Sequence, residues 1–197
     1  MNYYSNYYKK DFREHYITYS LIGINLTIFL IMTLLGGSTN ITNLIIFGAK
    51  VNSLIEEGQY WRLITSMFIH IGFTHLLFNT YSLFVLGKLA ERMYGHGKIL
   101  LIYILSGISG ALFSFIFSPK ISAGASGAIF GLLGAILVYG WRKKIFWRSG
   151  LISNLLLILG INMFFGIIAP GIDNYAHFGG FLGGVLVSYI IKSIFLK

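Results

Sequence analysis

Four polar side chains stand within apolar stretches of the sequence, and their types suit acyl-transfer chemistry. They are His75, Asn79, Ser126 and His177. A serine hydroxyl becomes a nucleophile when a histidine takes its proton. His75 and Asn79 are four residues apart, so they share one face of a helix. The residue types therefore indicate a serine nucleophile and a histidine base.

Ser126 has small neighbours, since residues 124–127 read Gly-Ala-Ser-Gly and leave room for a substrate to approach the hydroxyl. A helix that begins here directs its unpaired backbone N–H groups outward, where they can stabilise an oxyanion. The alternative is structural. Gly127, Gly131 and Gly134 then form a packing face of small residues, and Ser126 only caps the helix.

His177 begins a face of glycines, because Gly180 and Gly184 follow it by three and seven residues. If that face packs against the glycines beside Ser126, the imidazole comes close to the serine hydroxyl, as a general base must. The alternative is a histidine that is merely hydrogen-bonded within a helix bundle.

The composition excludes a soluble globular domain. Of the 197 residues, 56% are hydrophobic and only 11% are charged, whereas soluble domains carry about 25% charged residues. The chain has no Cys, which excludes disulfides, thiolate metal sites and cysteine nucleophiles. The net charge of +9 does not indicate a nucleic-acid partner, because the positive residues lie between apolar runs.

Charge-free stretches of membrane-spanning length predict the fold class, an all-α membrane protein. About 20 apolar residues cross the hydrocarbon core of a bilayer. We expect a short N-terminal segment at 1–17, one membrane domain at 18–197, and an outer loop at about 36–71 that lies partly in the outer leaflet. The six predicted helices are near 18–35, 72–94, 99–117, 126–141, 151–168 and 175–194.

The positions of Lys and Arg predict a cytoplasmic location for both termini. With the N-terminus inside, 12 of the 15 positive residues lie on the cytoplasmic side, and only Lys50, Arg62 and Lys120 lie outside. The second, fourth and sixth helices then all begin at the outer face. The four polar residues therefore meet at a similar depth near that face.

Other membrane proteases do not fit the sequence. A zinc protease of the HExxH type needs a Glu directly after its first His, and neither His70 nor His75 has one. An aspartyl protease needs two buried carboxylates, but Asp173 is the only Asp after residue 11. We predict no metal centre and no other cofactor. A small transporter or an inactive membrane chaperone remain as alternative functions, since polar residues within membranes also line transport paths.

Six short elements, in order along about residues 45–185, resemble the rhomboid family of intramembrane serine proteases, of the bacterial six-helix type. They are Gly-Gln-Tyr-Trp-Arg at 58–62, Met-Phe-Ile-His at 67–70, His-Leu-Leu-Phe-Asn at 75–79, Glu91 with Gly95, Gly-Ala-Ser-Gly at 124–127, and Ala-His-Phe-Gly-Gly at 176–180.

The resemblance implies a role for each of the matching residues. Ser126 would be the nucleophile and His177 the general base, a dyad without a carboxylate as a third member. His75, Asn79 and the Ser126 backbone N–H would stabilise the oxyanion. His70 matches a structural or water-organising histidine.

Further matching residues would support the site or the fold. Phe130 occupies a position where the family often has a Tyr stacked on the imidazole. Gly124, Gly127 and Gly180 would support the site, and Trp61, Arg62, Glu91 and Gly95 would be structural.

The resemblance also implies partners and a location. The substrates would be transmembrane proteins, the protein would lie among the lipids of the cell membrane, and the site would open to the extracytoplasmic side.

The predicted orientation can be tested with single cysteines, because the chain has none of its own. We expect Ser5→Cys and Lys197→Cys to react with a membrane-impermeant thiol reagent only after cell lysis. Lys120→Cys, at the outer face, should react in intact cells. Labelling of either terminus in intact cells would contradict this topology.

Overall fold

The computed structural model describes residues 10–143, 150 and 171–195. The described part is all-helical, and its only extended pairing is an antiparallel bridge between Lys50 and Ser122. The α-helices are α1 (Tyr16–Leu34), α2 (Ile41–Phe47), α3 (Asn52–Glu56), α4 (Arg62–Thr65), α5 (Phe73–Ser82), α6 (Lys88–Tyr94), α7 (His96–Phe117), α8 (Ser126–Lys143) and α9 (Asn174–Phe195). The predicted helix at 151–168 lies outside the described residues.

The length and apolar composition of the helices are those of an integral membrane protein. Among the described residues, α1 and α7 are each long and apolar enough to cross a bilayer. Two helical segments, Arg62–Phe68 and Phe73–Tyr94, meet at a bend of 92° and together meet the same criterion. Helix α7 begins three residues before the predicted 99, because Gly95, at φ +78°, interrupts the helix and a new one starts directly after it. The polar residues in the first turn of α7 can lie outside the hydrocarbon core of the bilayer, so the helix can begin before the charge-free stretch.

The predicted outer loop, at about 36–71, contains short helices. Helices α2, α3 and α4 lie between α1 and α5, and a 3₁₀ turn at Ser66–Phe68 follows α4. Arg62 fixes this segment, since its guanidinium donates to the carbonyls of Ile45 and Ala49, at 2.8 and 3.0 Å. Its guanidinium also lies 4.5 Å above the Trp61 ring.

A buried carboxylate joins two helices at the other end of the bundle. Glu91 on α6 accepts hydrogen bonds from the backbone N–H groups of Ile17 and Thr18, at 3.0 and 2.9 Å, in the first turn of α1. His15 precedes α1 but makes no capping bond with its side chain. Glu91 therefore supplies both the acceptor and the negative charge that the positive end of a helix dipole favours.

Helices α7, α8 and α9 form the centre of the fold, and α9 packs against both of the others. Glycines allow the contact between α8 and α9. A Cβ at Gly134 would lie 2.6 Å from the Phe181 carbonyl oxygen, and a Cβ at Gly184 would overlap the backbone of Gly131. The two helices therefore touch backbone to backbone, which requires small residues.

We predict that Gly184→Ala destabilises the fold by about 1–3 kcal/mol, because the added methyl group must separate two helix backbones. The matched control is Gly23→Ala on α1, where nothing lies within 4 Å of the added Cβ. This control should be neutral, or stabilising by up to about 1 kcal/mol, since Ala favours helix. Thermal unfolding in detergent measures both changes. Equal midpoints for Gly184→Ala and the unchanged protein would contradict the predicted packing.

Candidate active site

Ser126 is the first residue of α8, and the chain before it is held in a fixed turn. Gly124 has φ +136°, a conformation that residues with a side chain rarely adopt. Its N–H donates to the Ser66 carbonyl at 2.9 Å. The Ala125 carbonyl accepts the first bond of α8, from Ile129 at 3.0 Å. The N–H of Ser126 therefore belongs to the first turn of a helix, where backbone donors have no partner within the helix.

His177 lies in the first turn of α9, beside Ser126. The His177 Nε2 and Ser126 Oγ atoms are 2.9 Å apart, within hydrogen-bond distance. The imidazole is buried, and its Nδ1 atom has no hydrogen-bond partner among the described residues. If the hydroxyl donates, the neutral ring carries its proton on Nδ1 and accepts at Nε2. This is the protonation state in which a histidine can take a proton from serine.

The ring of Phe130 fixes the orientation of the imidazole. Phe130 is one turn after Ser126 on α8, and its ring lies parallel to that of His177, with 4.3 Å between centroids and 10° between planes. Such a stack limits rotation of the histidine ring about χ2. Phe130 therefore packs against the imidazole as expected for this position, although it lacks the hydroxyl of a tyrosine.

The α8–α9 glycines bring these side chains together. A Cβ at Gly127 would lie 3.2 Å from the Ala176 carbonyl oxygen, and a Cβ at Gly180 would overlap the backbone of Gly127. Since Ala176 directly precedes His177, this backbone contact sets the distance between the two functional groups.

His75 lies on α5 with one edge directed toward the turn before Ser126. A Cβ at Gly124 would lie 2.8 Å from His75 Nε2 and 3.8 Å from Ser126 Oγ. The imidazole and the hydroxyl therefore line the same small space. The Ile71 N–H donates to His75 Nδ1 at 3.4 Å, which places the proton of a neutral ring on Nε2. His75 thus presents a donor to this space.

Asn79 follows His75 by one helical turn and is buried. Its Nδ2 atom donates one hydrogen bond to the His75 carbonyl at 2.9 Å. A side-chain amide has two N–H groups, so a second donor is available. The structure thus places His75 and Asn79 on α5 as neighbouring N–H donors.

His70 is fully buried and contacts the turn that precedes Ser126. Its Nε2 atom accepts from the Ala125 N–H at 3.5 Å, and its ring lies 5.3 Å from that of His75 between centroids. His70 therefore touches both the segment that carries Ser126 and the ring of His75.

Comparison with known proteins identifies the family. A sequence profile of the Rhomboid domain matches residues 57–194, which is most of the chain. The protein belongs to the rhomboid family. It is 49% identical to the rhomboid protease GluP of Bacillus subtilis over 168 residues, covering 85% of this chain and 33% of GluP. It is 40% identical to RHOMBOID-like protein 5 of Arabidopsis thaliana over 150 residues, covering 73% of this chain and 48% of that protein.

A smaller bacterial relative matches over more of its own length. The putative rhomboid protease YdcA of Bacillus subtilis is 37% identical over 143 residues, covering 69% of each chain. By contrast, this chain spans only a third to a half of GluP and RHOMBOID-like protein 5. The family resemblance predicted from the sequence is therefore confirmed.

Sequence reasoning did not assign a structural role to two charged residues of this rhomboid domain, Lys50 and Asp173. Lys50, counted above only as an outer positive charge, is 1% exposed, and its Nζ donates to the carbonyls of Ser118 and Lys120 at 2.8 and 2.7 Å. Burial lowers the pKa of Lys50, and the opposing charge of Asp173 only partly offsets this. Asp173 is the residue directly before α9, and that position alone is a signal for a helix cap.

Proposed function

We propose that this chain is an intramembrane serine endopeptidase that hydrolyses peptide bonds in or near transmembrane segments of membrane proteins. The observation that carries the proposal is the 2.9 Å contact between Ser126 Oγ and His177 Nε2 within an apolar helix bundle. Relatives named as rhomboid proteases support the same reaction class. The mechanism rests on these two side chains as a dyad.

In the first step, Ser126 Oγ attacks the scissile carbonyl carbon while its proton moves to His177 Nε2. When the tetrahedral intermediate collapses, the C–N bond breaks and the imidazolium gives that proton to the leaving amine. Water, with its proton taken by the same histidine, then hydrolyses the acyl ester and restores Ser126. The stacked Phe130 keeps the imidazole in place, an orienting role that a carboxylate has in serine triads.

The negative oxygen of each tetrahedral intermediate needs donors that are already in place. The N–H of Ser126 and the side chains of His75 and Asn79 are the candidates. His75 Nε2 faces the space beside Ser126 Oγ, and Asn79 has an N–H beyond the one it gives to the His75 carbonyl.

The substrate segment must unwind before it is cut, because a helix hides its carbonyls in i→i−4 bonds. Unwinding in lipid is costly, but a protein cavity can supply partners for the freed backbone. We infer that substrates have Gly, Pro or polar residues near the outer end of their helix. The family resemblance suggests a small residue such as Ala before the cut bond, and Gly124 leaves only a narrow space there. With the membrane orientation that the Lys and Arg positions predict, the site would open to the extracytoplasmic side.

We predict that Ser126→Ala and His177→Ala each abolish peptide hydrolysis, because each removes one member of the dyad. The losses should each reach several orders of magnitude in kcat and should not add in the double variant. The assay uses purified protein in liposomes with a single-span substrate, and mass spectrometry identifies the products.

Both variants should unfold at the same temperature as the unchanged protein, which shows that the fold is retained. Cleavage by Ser126→Ala at a comparable rate would contradict the mechanism.

We predict that Asn79→Ala lowers kcat by about 10- to 1,000-fold, with a smaller effect on KM, because one prepared donor is lost. His75→Ala should act in the same way. The matched control is Asn25→Ala, since Asn25 is also a buried asparagine but lies on α1, which contributes no residue to the site. A change confined to KM in Asn79→Ala would instead assign Asn79 to substrate packing.

A further inference from the structure

Asp173 caps the helix that carries the proposed base. It directly precedes α9, and its Oδ1 atom accepts from the Ala176 N–H at 3.0 Å. Its carbonyl accepts from the His177 N–H at 3.1 Å. Aspartate is among the best capping residues, because its side chain satisfies an N–H that the helix cannot. One residue therefore holds both peptide groups that flank Ala176, the residue directly before His177.

The same carboxylate ties α9 to the neighbouring helix. The Ser114 hydroxyl on α7 donates to Asp173 Oδ2. Ser114 is itself buried, so this bond lies between packed helices rather than at a free surface. The start of α9 is thus attached to α7 by a side-chain bond, in addition to the glycine contact with α8.

A third contact reaches the segment that leads into Ser126. The Ser122 side chain also hydrogen-bonds to the Asp173 carboxylate. Ser122 is four residues before Ser126, and its backbone pairs with Lys50 in the antiparallel bridge. Partial burial would raise the pKa of Asp173, but the hydrogen bonds from Ser114, Ser122 and Ala176 and the charge of Lys50 together lower it. The group is therefore ionised at neutral pH and accepts every one of these bonds.

We propose that Asp173 is a positioning residue that holds the segments bearing Ser126 and His177 in register. It does so through hydrogen bonds to α7, to the first turn of α9 and to the segment before α8. Asp173 is not the third member of a triad, because it hydrogen-bonds to serine hydroxyls and a backbone N–H group, while the Nδ1 atom of His177 has no hydrogen-bond partner among the described residues. This inference rests on the proposed protease function and adds a residue to it.

The test compares three variants with the unchanged protein in the liposome cleavage assay. Asp173→Ala removes the cap and both serine contacts. We expect it to lower kcat by about 10- to 100-fold, as a small misplacement of catalytic groups does, while KM changes by less than about twofold. Ser114→Ala removes only the tie to α7 and should lower kcat in the same direction by a smaller factor.

Asp173→Asn separates hydrogen bonding from charge. Asparagine caps helices about as well as aspartate, and its amide can still bond to Ser114. We therefore expect Asp173→Asn to keep kcat within about threefold of the unchanged protein. A loss as large as that of Asp173→Ala would overturn the positioning role and assign the effect to the negative charge.

Asn40→Ala is the matched control. Asn40 caps α2, in the segment between α1 and α5, through the N–H groups of Thr42 and Asn43, so its loss removes a cap that lies outside the site. We expect a lower unfolding temperature for this control with unchanged kcat. If it lowers kcat as much as Asp173→Ala, the effect of Asp173 is general destabilisation and the proposal fails.

The two levels of the account can fail separately. If the unchanged protein cleaves no substrate, the proposed function fails, whatever Asp173 does. If it does cleave, but Asp173→Ala and Ser114→Ala both match it in kcat, only the positioning role is overturned. Should Asp173→Ala not fold, Ser114→Ala alone decides the result, because it leaves the cap of α9 intact.

Discussion

Contact between the backbones of α8 and α9 is the constraint on which the site depends. The two helices touch at glycines along their length, and Gly184 meets the backbone of Gly131 directly. Ser126 and His177 both lie in the first turns of these helices, so the spacing between the helix axes sets the 2.9 Å between the two side chains. A wider spacing, as larger residues would impose, would separate hydroxyl from imidazole.

The polar groups around this contact follow a second constraint, since a buried polar group is costly unless it is hydrogen-bonded. Glu91 is satisfied by the start of α1, Arg62 by carbonyls of the segment between α1 and α5, and Lys50 by the carbonyls that follow α7. Each charged group satisfies backbone atoms at a helix end or in a loop. The segment between α1 and α5 and the helix ends are thereby fixed to the bundle, and the turn before Ser126 bonds to that segment through Gly124 and Ser66.

Much of this arrangement could be predicted from sequence. The apolar stretches predicted an all-α membrane protein, and the glycine spacing after His177 predicted a close contact near Ser126. The contacts of Lys50 and Asp173 with distant segments could not be predicted, because Ser118, Lys120 and Ser114 lie about 60 to 70 residues away in the chain and no local pattern indicates such a contact. A π-helical turn at Leu83–Gly87 joins α5 to α6. It could not be predicted either, because its residues have the apolar character of a continuous helix.

The central claim, that Ser126 is a nucleophile activated by His177, is tested most directly by covalent labelling. A fluorophosphonate reacts with an activated serine and remains attached, so mass spectrometry of the digested protein locates it. We predict an adduct on the peptide that contains Ser126, no adduct in Ser126→Ala, and much slower labelling in His177→Ala. A protein with no adduct, or an adduct that persists in Ser126→Ala, would contradict the account.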